Sequence, residues 1–108
     1  MFLRKIIGLG DGFFFSAISE CEIRNNLKHG EHLRADKLLD ERRILVVDSG
    51  VARRAAQIQV QQRVNGRSIK TPDALILATA IEHGLAFVSR DKQLRFVKTE
   101  YGVEFMEP

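Results

Sequence analysis

The stretch that most restricts what this chain can become runs over residues 69–91 and reads IKTPDALILATAIEHGLAFVSRD. It places two carboxylates where carboxylates are costly. Thr71 is a good helix N-cap, Pro72 suits the first helical position, and Gly84 suits a left-handed helix end, so a helix is expected over 72–84. Asp73 falls in its first turn. Ile76, Leu77 and Ala80 lie three, four and seven residues on and share the Asp73 face, while residues 74–81 are apolar nearly all round. Such a helix is buried, and Asp73 stands at the core's edge. Residues 85–88 then form a short apolar run that fits a strand covered on both faces. Asp91 follows the carboxyl end of that strand. In open α/β sheets this end is where ligands bind, and two acids directed at it suggest a cation. Each acid also has a purely structural explanation: Asp73 meets the positive end of a helix dipole, and Asp91 can cap a short helix over 92–99.

Upstream, residues 1–9 space Phe2, Leu3, Ile6, Ile7 and Leu9 as one face of a short amphipathic helix ended by a glycine-rich turn at 8–12. Residues 13–18 are apolar without alternation and read as another buried strand. Ser19 and Glu22 have the spacing of a capping box, so Glu22 is either the reciprocal partner of a Ser19 cap or a functional acid just past a strand's carboxyl end. A helix is expected over 33–42 and a short strand over 44–47. Asp48 or Ser49 then caps a long helix with Val51, Ala55 and Ile58 on one side and Ala52, Ala56, Val60 and Val64 beside them. Asp48 is read as structural. Asn65 and Gly66 turn the chain toward Thr71, and a turn at Tyr101 and Gly102 precedes a last strand over 103–106. Strands alternating with helices predict an α/β three-layer sandwich with a mainly parallel sheet.

Composition narrows the function. The 108 residues and 44% hydrophobic content allow one modest core. The net charge of +3, from 17 basic and 14 acidic residues, is compatible with a nucleic acid without requiring one. A single cysteine, Cys21, excludes an internal disulfide framework and a cysteine-rich zinc site, and is expected to be a small core residue. Arg4 and Lys5 interrupt the only apolar N-terminal stretch, so neither a secretory signal nor a membrane span is expected, and the expected setting is cytoplasmic. His29, His32 and His83 fall at solvated helix ends.

In this layout Glu22, Asp73 and Asp91 come from three parts of the chain to one rim. Ionised carboxylates about 5 Å apart repel by roughly 3 kcal/mol per pair at an effective dielectric near 20, a penalty that a divalent cation removes. Oxygen ligands without cysteine or histidine suit Mg²⁺ or Mn²⁺.

The segments SAISECEI at 16–23 and PDALILATA at 72–80, followed by FVSRD at 87–91, resemble in order and spacing the PIN-domain nucleases, especially the VapC-type toxins of toxin–antitoxin pairs. The resemblance covers nearly the whole chain. It implies a metal-dependent endoribonuclease with Glu22, Asp73 and Asp91 as acidic metal-site residues and Ser89 helping to orient the site. It also implies RNA as substrate, with Lys92, Arg95 and Lys98 holding its backbone or forming a solvated face, and a cognate antitoxin as partner. A homodimer through residues 13–15 or the exposed side of the 50–64 helix is a further expectation. One departure stands out: the family opens with a strand ending in an Asp, followed by a first helix, and no residue here matches that Asp. Asp11 lies in a turn and does not take the role. The expectation is therefore an N-terminally truncated PIN-like domain over 1–108, lacking the first strand and most of the first helix, with weak or absent activity. Two other readings stay open: a catalytically inactive PIN-like fold that binds protein or RNA, and an unrelated α/β protein whose acids are all helix caps.

Overall fold

A computed structural model describes residues 5–8, 12–89 and 91–107. Its centre is a five-stranded sheet in the order β3-β2-β1-β4-β5, formed by β1 (Lys5–Gly8), β2 (Gly12–Ser16), β3 (Ile44–Leu45), β4 (Ala86–Val88) and β5 (Phe105–Met106). β2 and β3 pair in parallel, as do β4 and β5, whereas β1 is antiparallel to both of its neighbours. It follows that β2, β3, β4 and β5 all run one way and only β1 is reversed. The mainly parallel sheet read from the sequence is thus present.

The helix expected over 1–9 is not. Residues 5–8 are a strand, and the remainder of that expected helix, at 1–4 and 9, lies outside the described residues. The cause is long-range. Ile6 sits opposite Phe14 on one side and Phe87 on the other, so two neighbouring strands take up the backbone donors and acceptors that a helix would have paired internally. An isolated helix of fewer than about 12 residues is marginal, and pairing on both edges outcompetes it.

Strand alternation sends the apolar residues into two cores. Phe15 of β2 and its register partner Ile44 of β3 pack with Ile23, Ala35 and Leu39. The adjacent Phe14 and Leu45 pack instead with a larger cluster that includes Val51, Ile58, Ile76, Leu77 and Phe87. Consecutive residues in different clusters place one core on each face of the sheet. α1 (Ala17–Asn25) and α2 (His32–Leu38) cover the smaller core, while α3 (Ser49–Val64) and α4 (Thr71–His83) pack against each other over the larger one. The result is the three-layer α/β arrangement expected from the sequence.

Local signals fix several boundaries. Asp48 caps α3, its side chain accepting from the Val51 N–H at 2.9 Å. Gly84 closes α4 at φ 64°, the left-handed conformation that favours glycine. α4 begins at Thr71, one residue before the expected start, and Lys70 rather than Thr71 occupies its cap position. The strand expected over 13–18 stops at Ser16, because Ser16 itself caps α1 by accepting the Ser19 N–H at 3.0 Å. Ser19 is therefore a donor inside the helix, and the capping box built on Ser19 and Glu22 is overturned. The helix expected over 33–42 ends at Leu38; Asp40 captures the Arg42 N–H at 3.0 Å and starts a separate 3₁₀ turn over Glu41–Arg43. The helix expected over 92–99 divides into a 3₁₀ turn over Lys92–Leu94 and α5 (Val97–Tyr101).

Cys21 is exposed on α1, against the expectation of a core position, because the buried stripe of that helix runs through Ser19 and Ile23. His29, His32 and His83 are exposed as expected. Phe15 is fully buried and so unavailable for a dimer contact, whereas Val60 and Val64 are exposed on the outer side of α3. Among the described residues no helix is long and apolar enough to cross a membrane.

Candidate active site

Asp73 stands in the first turn of α4 and is only 8% exposed. Asp91 follows β4 and leads into the 3₁₀ turn at Lys92. The two acids are 18 residues apart in sequence yet line one cavity of about 550 Å³, together with Arg67, Ser68, Lys70 and Gln93 and an apolar wall of Ile69, Leu94 and Phe96. The cavity opens at the carboxyl end of β4, the location that strand direction predicts for a ligand.

Asp91 is held from two directions. Its N–H donates to the Ser89 hydroxyl at 3.0 Å, and its Oδ1 accepts the Gln93 N–H at 3.0 Å. Ser89 is fully buried at the end of β4, where its own N–H donates to the Met106 carbonyl of β5 at 3.1 Å. A buried serine cannot touch a large substrate, so Ser89 acts behind the site, fixing the backbone that carries Asp91. Asp91 thereby combines both readings made from the sequence: it starts a short helical turn and presents a carboxylate to the cavity.

Glu22 lies in the middle of α1, half-buried, on a helix packed against α4. It is not among the residues lining the Asp73–Asp91 cavity. Among the described residues no three of His, Cys, Asp and Glu stand together closely enough to hold a metal ion. The structure thus brings two of the three sequence-derived acids into one cavity and leaves Glu22 on the neighbouring helix, where the loss of the Ser19 cap also removes its capping role.

Of the basic residues read from the sequence, Arg95 is engaged by Glu107 through two hydrogen bonds, one of them 2.8 Å from Nε to Oε1, and Lys98 Nζ lies 3.5 Å from Glu104. Lys92 is exposed. None of the three lines the cavity.

Sequence reasoning missed Gln62, Arg67 and Lys70. Gln62 is 1% exposed in the middle of a polar cluster. Its Nε2 donates to Tyr101 Oη at 2.9 Å and to Glu100 Oε1 at 3.2 Å, and its Oε1 accepts from Arg67 at 3.0 Å. Arg67 also ion-pairs with Glu100 and lies over the Phe96 ring at 4.6 Å. Asn65 donates to the same Glu100 oxygen at 2.9 Å. These bonds tie the 65–70 loop, which forms one wall of the cavity, to α3 and α5. The signal for Gln62 was available: Val51, Ala55, Ile58 and Gln62 follow the spacing of one buried helical stripe.

Among the described residues the cavity lining holds two carboxylates and no sulfur or imidazole donor, a set that fits a small hard cation. Mg²⁺ is commonly held by one or two carboxylates, with water and substrate phosphate completing its shell. Asp73 and Asp91 are the residues that would hold it.

The sheet, with four strands running one way and a cavity lined by Asp73 and Asp91 beyond the carboxyl end of β4, defines a three-layer α/β protein. The chain belongs to the PIN-domain family, whose model matches residues 1–100. Among solved structures it is similar to FitAB bound to an IR36 DNA fragment, with 30% identity, a TM-score of 0.73, and coverage of 88% of this chain and 72% of that one. FitAcB from Neisseria gonorrhoeae is also 30% identical, with a TM-score of 0.69 and coverage of 86% and 73%. The fold is shared with VapBC-5 from Mycobacterium tuberculosis, a member of the VapBC family of toxin–antitoxin systems, at 19% identity, a TM-score of 0.70, and coverage of 86% and 79%. No match is found among curated proteins.

Proposed function

We infer that the protein is a metal-dependent endoribonuclease of the toxin type, restrained in the cytoplasm by a cognate antitoxin. The observation that carries this reading is the meeting of Asp73 and Asp91 in one cavity at the carboxyl end of β4. Held by Asp73 and Asp91, a Mg²⁺ or Mn²⁺ ion would supply an activated water and offset charge developing on a phosphodiester. The chain's own contribution is placement. α4 holds Asp73 at the rim, Ser89 and the Gln93 N–H fix Asp91, and the apolar wall of Ile69 and Leu94 limits water on one side. Glu22 sits on α1, which packs against α4, and outside the cavity lining, so the metal role expected of it is proposed here for Asp73 and Asp91 alone. The antitoxin partner is supported by the similarity to FitAB and by the fold shared with VapBC-5.

The test is cleavage of labelled single-stranded RNA with Mg²⁺ or Mn²⁺, with and without EDTA, by the wild type and by the D73N and D91N variants. Metal-dependent cleavage that either substitution abolishes supports the reading. Cleavage unchanged in both variants removes these acids from the chemistry. A second reading, a catalytically silent PIN fold that binds RNA or protein, is favoured by the presence of two acids and no third in the cavity among the described residues. RNA binding without metal-dependent cleavage would select it.

A further inference from the structure

On the nuclease reading, we propose that Lys70 holds an RNA phosphate beside the Asp73–Asp91 pair and is the cavity's phosphate-binding residue. Among the described residues two cations line the cavity, Arg67 and Lys70, and they differ in what already occupies them. Arg67 is committed to Glu100, to Gln62 and to the face of Phe96. Lys70 is exposed, and among the described residues its ammonium forms no ion pair or hydrogen bond. Lys70 is the cap residue of α4, three positions before Asp73 in its first turn, and both residues line the cavity.

Its backbone is fixed on both sides. The Gln59 side-chain amide donates to the Ile69 carbonyl at 3.0 Å and to the Thr71 hydroxyl at 3.2 Å, so the residues immediately before and after Lys70 are bonded to α3. A cation on an anchored backbone, next to two carboxylates, divides the cavity into a side that attracts a metal and a side that attracts a phosphate. Less chain entropy is lost when such a pre-placed group binds its ligand. Arg95 and Lys98, which follow the site in sequence, already face Glu107 and Glu104.

The experiment measures binding of a short fluorescein-labelled single-stranded RNA in EDTA across a series of KCl concentrations, alongside metal-dependent cleavage by the same preparations. Removing one phosphate contact to a single strand should lower the slope of log K against log salt by roughly 0.7 and weaken binding about five-fold, independent of RNA sequence. K70M should show that loss, K70R should keep the wild-type slope, and K37M, on α2 outside the cavity, should match the wild type. Wild-type cleavage together with an unchanged slope in K70M overturns the role of Lys70 while leaving the nuclease reading intact. A wild type that neither binds nor cleaves RNA overturns both.

Discussion

Replacing Gln62 by leucine should lower the stability of the whole domain, although glutamine on a surface-lying helix ordinarily tolerates such a change. Gln62 is 1% exposed and makes three hydrogen bonds, two of them to the charged groups of Glu100 and Arg67. At about 0.5–1.5 kcal/mol for the neutral bond and about 1.5–3 for each charged one, the gross loss is roughly 4–7 kcal/mol. Several effects reduce it. Glu100 keeps Asn65 and Arg67, Tyr101 keeps Gln61, and the side chains of Arg67 and Glu100 are partly solvated at 45% and 28% exposure, so screening by water discounts their terms. Leucine also gains burial worth about 1.5–3 kcal/mol. A net cost of about 2 kcal/mol remains, which for a domain of this size lowers the melting temperature by roughly 8 °C. The adjacent Gln61 provides the contrast. It is exposed and accepts one hydrogen bond, from Tyr101 at 2.8 Å, so Q61L should cost no more than about 0.5 kcal/mol. Thermal unfolding followed by circular dichroism compares the two. If Q62L melts no lower than Q61L, the buried cluster does not contribute as described.

Other consequences are more local. D48A removes the side-chain acceptor for the Val51 N–H and should cost about 1 kcal/mol, read as a lower urea midpoint with an unchanged slope. Hydrogen bonds from the Arg42 side chain and backbone hold the Asp40 carboxyl below its ordinary pKa of 3.8. Because the folded pKa is depressed, the stabilisation from this contact is complete above the unfolded carboxyl's pKa and is lost as pH falls through the folded value. An NMR titration should therefore give Asp40 a midpoint below 3.8 that rises in R42M; a midpoint unmoved by R42M refutes the cause.

The parts of the fold legible in the sequence are those set by neighbouring residues. Pro72 and Gly84 bracket α4, Asp48 marks the start of α3, and the short apolar run of β4 gave away both the strand and the position of Asp91 after it. Readings failed where the outcome depended on distant partners or on two local signals of equal strength. The apolar spacing over 1–9 fits a helix, and pairing with β2 and β4 on either side makes residues 5–8 a strand. Ser16 and Ser19 both offer a capping hydroxyl; Ser16 takes the role because β2 ends there. In the site, Asp73 and Asp91 were readable because each lies beside a helix start or strand end. The cavity wall was not, since Arg67 and Lys70 acquire their roles from Glu100, Phe96 and Gln59, none of which is a sequence neighbour. Glu22 shows the converse: its motif is plain in the sequence, while its helix places it outside the cavity lining.

Direct titration of Mn²⁺ into the protein, followed by the loss of the free-ion electron paramagnetic resonance signal, bears most closely on the shared Asp73–Asp91 cavity. Saturable binding by the wild type, abolished in D73N and in D91N while their circular dichroism spectra remain unchanged, is the predicted result. Equal binding by the wild type and both variants, or none by the wild type, would contradict a cation held between these two carboxylates.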